Sequence, residues 1–187
     1  MKVARTIMIV AAAVGIGALG ATVQTNAGDK KPEKLTLRLG VFDSRAVALA
    51  YAATTEEPGL GPHLQRMREE YKKAKEAGDA EKVKHLETQG RQEQDQLHQQ
   101  GFSTGSVANI LEKIKDQLPG IARQANVDLI VSKWDIAYQT PGTQTLDITL
   151  AIIKPFHPSE KTLRDIQELE KHQPIPLEEA KKIPTRE

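Results

Sequence analysis

The sequence predicts an α+β protein: a small β-sheet body with a long protruding antiparallel helical hairpin (coiled-coil arms) and a short C-terminal helix. Two observations carry this. Strand-like alternation is confined to residues 37–43 and 127–153, and the stretch between them is charged, with apolar residues at helical spacing. A sheet assembled from both ends of that stretch leaves the helices as an insertion that projects from it.

The first strand lies in "LRLGVFDSRAVAL", where Leu39 and Val41, with Leu37, face one way and Asp43 closes the strand before a helical "SRAVALAYAA". "TTEEPGLGPHL", residues 54–64, breaks that helix. From Leu60, the residues Leu64, Met67, Tyr71 and Ala74 follow spacings of 4, 3, 4 and 3, a narrow heptad seam on a charged helix. The phase fails at "EAGDAEK", where Gly78 suits a helix C-terminus and Asp79 an N-cap. A weaker seam of Val83, Leu86, Gly90 and Leu97 follows. Two antiparallel helices joined at Gly78 and Asp79 explain both seams; one helix with an exposed glycine is the other arrangement the stretch permits.

After "GFSTGS", residues 101–106, the residues Val107, Leu111, Ile114, Leu118, Ile121 and Ala125 make a further helical stripe, with Pro119 inside it as a kink or interruption. Val127, Leu129 and Val131 then alternate with polar neighbours, and Ile130 gives the strand a second apolar face, as in a strand buried on both sides. Ile136–Tyr138 is expected as another short strand, followed by a type II turn at "TPGT". Leu146, Ile148, Leu150 and Ile152 alternate as a third strand would, and Pro155 and Pro158 stop what precedes them. Ser159 caps a final helix with Leu163, Ile166 and Leu169 on one face, and residues 173–187 read as a polar, mostly extended tail.

The N-terminus has the layout of a secretory signal: Lys2 and Arg5, an uncharged run from Thr6 to Ala27, and then Asp29, Lys30 and Lys31. Thr25 and Ala27 place the cut before Gly28 and the mature protein in the periplasm; a retained anchor is the alternative, and the only membrane contact expected. "GIGALG", Gly15–Gly20, matches a dinucleotide fingerprint but lies inside the apolar run with no strand before it. The domain plan is thus signal 1–27, linker 28–36, domain 37–172 with arms at about 58–106 and a body of 37–57 and 107–172, and tail 173–187.

Removing Lys2 and Arg5 from the 26 basic residues leaves 24 against 25 acidic ones, a net charge of −1 that gives no basic field for nucleic acid. With no cysteine, disulfides and thiol chemistry are excluded. His63, His85, His98, His157 and His172 lack a metal-ligand spacing, Glu69–Glu70 and Glu178–Glu179 point apart on their helices, and Ser44 and Ser132 lack a nucleophile-elbow context. Asp43, Asp135 and Asp147 are the carboxylates that the strands could bring together, although an aspartate at a strand end usually caps or turns. No enzyme, cofactor or metal is expected.

"LGVFDSRAV", "AGDAEKVKHLE" and "ANVDLIVSKWDIAYQTPGTQTLDIT" resemble, over residues 36–170, the first strand, arm tip and return segment of the Skp/OmpH-like periplasmic chaperones. The resemblance implies a homotrimer whose arms enclose unfolded outer-membrane or other envelope proteins without ATP, and a helix opened by Thr149 and ended by Pro155. The near-neutral charge, the two interruptions and the tail depart from the family pattern. Client-facing candidates are Leu64, Met67, Tyr71, Val83, Leu86 and Leu97; body or oligomer candidates are Val41, Leu129, Val131, Trp134, Tyr138 and Ile148. The alternative is a structural or scaffolding coiled-coil envelope protein without chaperone activity.

Overall fold

The computed structural model describes residues 37–183. The expected signal and linker lie outside them. Strand β1 (Arg38–Phe42) runs into Asp43, whose carboxylate accepts from Arg45 N and so caps α1 (Ser44–Ala53). Helix α1 is apolar nearly all round, and Ala46, Val47, Ala48, Ala50 and Tyr51 are buried, as in a helix enclosed by other elements.

The chain turns at Thr54, whose hydroxyl donates to Ala50 O and Phe156 O, and enters α2 (Gly61–Glu76), with Pro62 in its first turn. Gly78 adopts φ +70, and Asp79 accepts from Lys82 N to start α3 (Ala80–Phe102). Two helices meeting at Gly78 and Asp79 is what the local sequence requires, because the left-handed residue ends one and the carboxylate caps the next.

The stripe over 107–125 is not one helix. It is α4 (Ala108–Leu111), a 3₁₀ turn at Glu112–Ile114 and α5 (Leu118–Ala125). Pro119 stands in the first turn of α5, where its missing N–H costs nothing, so it begins a helix rather than kinking one. Asn126 in the left-handed region ends α5.

Strands β2 (Leu129–Ser132) and β3 (Gln144–Asp147) flank β1, both parallel to it, in the order β2-β1-β3. Residues 37–43 and 127–153 therefore do share a sheet across the intervening helices. Phe42 and Gly40 turn towards the helices, and a Cβ on Gly40 would lie 2.6 Å from Ile148 Cδ1 and 3.0 Å from Val127 Cγ2. The register puts Leu39, Val41, Leu129 and Val131 on the opposite face. Helices cover one face only, so β2 is not buried on both sides, and Leu129 stays 48% exposed.

Residues 136–140 are irregular, not a strand, because the chain has to cross from one side of β1 to the other before pairing again. The turn at Pro141 and Gly142 forms as expected, with Thr143 N donating to Thr140 O and Gly142 at φ +90. Asp147 ends β3, and α6 (Thr149–Ile153) follows after Ile148 alone. Ile152 and Ile153 enter the core, while Leu150 is left 62% exposed. Thr149 is the first helical residue rather than a side-chain cap, and its hydroxyl accepts from Asp43 N. The α-helix ends at Ile153, ahead of Pro155 as expected, and Pro155 sits within a 3₁₀ turn at Lys154–Phe156.

Ser159 accepts from Thr162 N and caps α7 (Glu160–Leu169), which buries Ile166. The tail holds a short helix, α8 (Leu177–Ala180), with Ala180 buried, so it is not simply extended. The core joins α1, Ile110, Ile114, Ile148, Ile152, Ile153, Phe156 and Ile166.

Gly40→Val overpacks the contact with Ile148 and Val127 and should cost roughly 1–3 kcal/mol in urea unfolding. Gly101→Ala, in a helix with nothing within 4 Å of the new Cβ, should leave stability unchanged or raise it by up to about 1 kcal/mol.

Candidate functional site

Two features stand out from the packed core: a charged hub where the strands end, and an apolar groove between α2 and α3.

The hub is built on Asp43. Its Oδ1 accepts from Arg45 N (3.0 Å), Arg45 Nε (3.1 Å) and Trp134 Nε1 (3.0 Å). Its Oδ2 accepts from Arg45 Nη2 (2.7 Å) and pairs with Lys133 Nζ (2.9 Å). The guanidinium of Arg45 and the ammonium of Lys133 lie 5.0 and 4.7 Å from the Trp134 ring centroid. Burial alone would push the Asp43 carboxyl up, but hydrogen bonds from Arg45, Lys133 and Trp134 outweigh it and bring the pKa down to about 2. Both carboxylate oxygens are occupied, so Asp43 is a structural anion and not a base. Asp147 is also engaged, with Oδ1 accepting from Thr149 N, whereas Asp135 is exposed. No group of three His, Asp or Glu that could hold a metal occurs among the described residues.

The groove is the other feature. Leu60, Leu64, Met67, Arg68 and Tyr71 line one wall, and Leu86, Gly90, Glu93, Gln94 and Leu97 the other, around a cavity of about 620 Å³. Spacings of 4 and 3 bring Leu64, Met67 and Tyr71 to one side of α2. The walls are tied by Tyr71 Oη donating to Glu87 Oε1 (3.1 Å), by His63 Nε2 with Glu93 Oε2 (2.7 Å) and, more loosely, by Lys82 with Glu70 (4.0 Å). Glu87 pushes the Tyr71 hydroxyl pKa up by accepting its proton in a hydrogen bond. Gly90 helps to create the space: a Cβ there would meet only Met67 Cε, at 3.9 Å.

Five of the six client-facing candidates, Leu64, Met67, Tyr71, Leu86 and Leu97, thus line one groove. Val83 does not; it lies in a neighbouring, more charged depression with Lys75, Lys84, Glu87 and Arg91. The body candidates separate. Ile148 is core, Trp134 belongs to the hub, and Val41, Val131 and Leu129 lie on the open sheet face. Tyr138, expected to pack, is 78% exposed because its segment is a crossing loop and not a strand. Sequence reading missed Gly90 as an opening and Arg45 as the hub cation. The available signal for Arg45 was one charge within an otherwise apolar helix.

No known family model, curated protein or solved structure matches the chain.

The Asp43 pKa falls from 3.8 to about 2 on folding. Its contribution, about 2 kcal/mol, is complete above pH 3.8 and lost as pH falls towards 2. Asp43→Asn should remove that part of the acid dependence in a pH series of urea melts. It should also cost roughly 3–5 kcal/mol at neutral pH by leaving Arg45 without its buried partner.

Proposed function

We propose that the protein is an ATP-independent holdase of the periplasm, which binds unfolded envelope or outer-membrane proteins along the α2–α3 groove. In this reading α2 and α3 are an antiparallel coiled-coil arm that projects from the body. The observation that carries the proposal is the 620 Å³ groove lined by Leu64, Met67, Tyr71, Leu86 and Leu97, within the size range of ligand sites but bounded by two helices and few fixed polar groups. Such a surface selects apolar side chains and not one sequence. Met67 adds an adaptable contact.

Burying one large apolar side chain is worth about 1.5–3 kcal/mol, so holding an unfolded chain requires several seats. Repetition of the arm in an oligomer supplies them. The open sheet face at Leu39, Val41, Leu129 and Val131, with an unpaired edge on each of β2 and β3, favours association, because a three-stranded sheet gains by covering its edges. The sequence resemblance to the Skp/OmpH-like chaperones supports the same assembly, a homotrimer, and the same class of client. Export by the N-terminal segment would bring the protein to those clients.

The test is aggregation of a denatured outer-membrane barrel, followed by light scattering after dilution. The protein should suppress scattering at near-stoichiometric ratio, and absence of protection at tenfold excess would refute the holdase reading. Gly90→Leu extends into the groove from a Cβ that meets only Met67 Cε; it should weaken protection roughly tenfold, the loss of about one side-chain seat, while leaving the urea midpoint no lower than that of the parent.

A further inference from the structure

We infer that the tail segment His172–Ala180 is a strap that fixes the base of α3 to the Asp43 hub, setting the direction in which the α2–α3 arm leaves the body. At one end, Arg45 Nη1 donates to the His172 carbonyl at 2.8 Å, using the face of the guanidinium left free by Asp43. At the other end, Ile175 N donates to Phe102 O (3.0 Å) and Ser103 Oγ donates to Ile175 O (2.7 Å), at the last residue of α3 and its C-cap. Ser103 is fully buried by this contact, and Ala180 of α8 is buried as α8 packs on α3.

The sequence is made for the task. Ile175 stands between Pro174 and Pro176. Both prolines have fixed φ and lack an N–H, and Pro176 holds Ile175 in extended backbone. The Ile175 amide is therefore the one main-chain donor of these three residues, and it is spent on Phe102. A stiff segment loses little entropy when it docks. The strap bridges two places that are otherwise far apart in sequence: residue 45, at the start of the first helix, and residues 102–103, at the end of the longest. The consequence for function rests on reading α2–α3 as a client-holding arm. A fixed base keeps the groove at one orientation to the sheet; the strap adds to the packing of α3 on α1, and its release would loosen the end of α3.

Hydrogen exchange on the purified protein, with no client present, tests the strap separately from the holdase reading. Truncation after His172 should speed exchange at Ser103 and Gly105, whose amides donate to Gln99 O, by at least about tenfold, with β1 amides unchanged. Ser103→Ala, which removes a single hydrogen bond of about 1 kcal/mol, should speed the same amides roughly fivefold. Unchanged exchange at Ser103 and Gly105 in the truncated chain would overturn the inference. So would equal acceleration in β1, since the tail would then be part of the global core and not a local strap.

Discussion

The Asp43 carboxylate is the interaction on which the other elements converge. It ends β1, caps α1, accepts the indole and ammonium groups that follow β2, and through Arg45 fixes the start of the tail. The backbone N–H of the same residue reaches Thr149 at the head of α6. A buried anion carries a desolvation cost of several kcal/mol. Here five polar contacts, three of them from cationic side chains, offset it, and charge-assisted hydrogen bonds are the strong ones. The hub does what a larger core would otherwise do: it holds five segments of a chain with few aromatic residues in one arrangement.

Because both neighbours of β1 come from the chain after residue 128, everything between α1 and β2 is an insertion into the sheet. That topology leaves most of α2 and the outer part of α3 outside the main core, which they join through Leu60, Leu97 and the packing of α3 on α1. Their apolar residues are too few to enclose, so Leu64, Met67, Tyr71, Leu86 and Leu97 line an open groove instead. Gly90 widens it at the cost of local helix propensity. The hub and the α1 core are thus separate from the groove, which lies between the long helices. A groove surface can then vary without unfolding the body.

Legibility followed the range of the interactions. Local rules were readable: alternation ending in Asp43, the left-handed Gly78 before the Asp79 cap, Ser159 before α7, and the seam that became the groove. Partner choice was not. Periodicity reports which side of an element is apolar but not which strand lies next to it, so the parallel order and the crossing loop that exposes Tyr138 were hidden. Residues 146–152 were ambiguous for a definite reason. Ile148 and Ile152 are four apart, which satisfies strand alternation and a helical face alike; the exposure of Leu150 distinguishes them. Arg45 and the tail were missed because their contacts join residues 127 and 72 positions apart, beyond any pattern in a local window.

A holdase of the proposed kind holds unfolded chains in the α2–α3 groove and not on the sheet. Site-specific photocrosslinking tests it most directly, with a benzophenone side chain placed in turn at Met67, Leu97, Leu150 and Tyr138 and a denatured outer-membrane barrel as client. Adducts should form at Met67 and Leu97 and be lost when Gly90→Leu fills the groove. Adducts at Leu150 or Tyr138 with none at Met67 and Leu97 would refute binding in the groove and place the binding surface on the body.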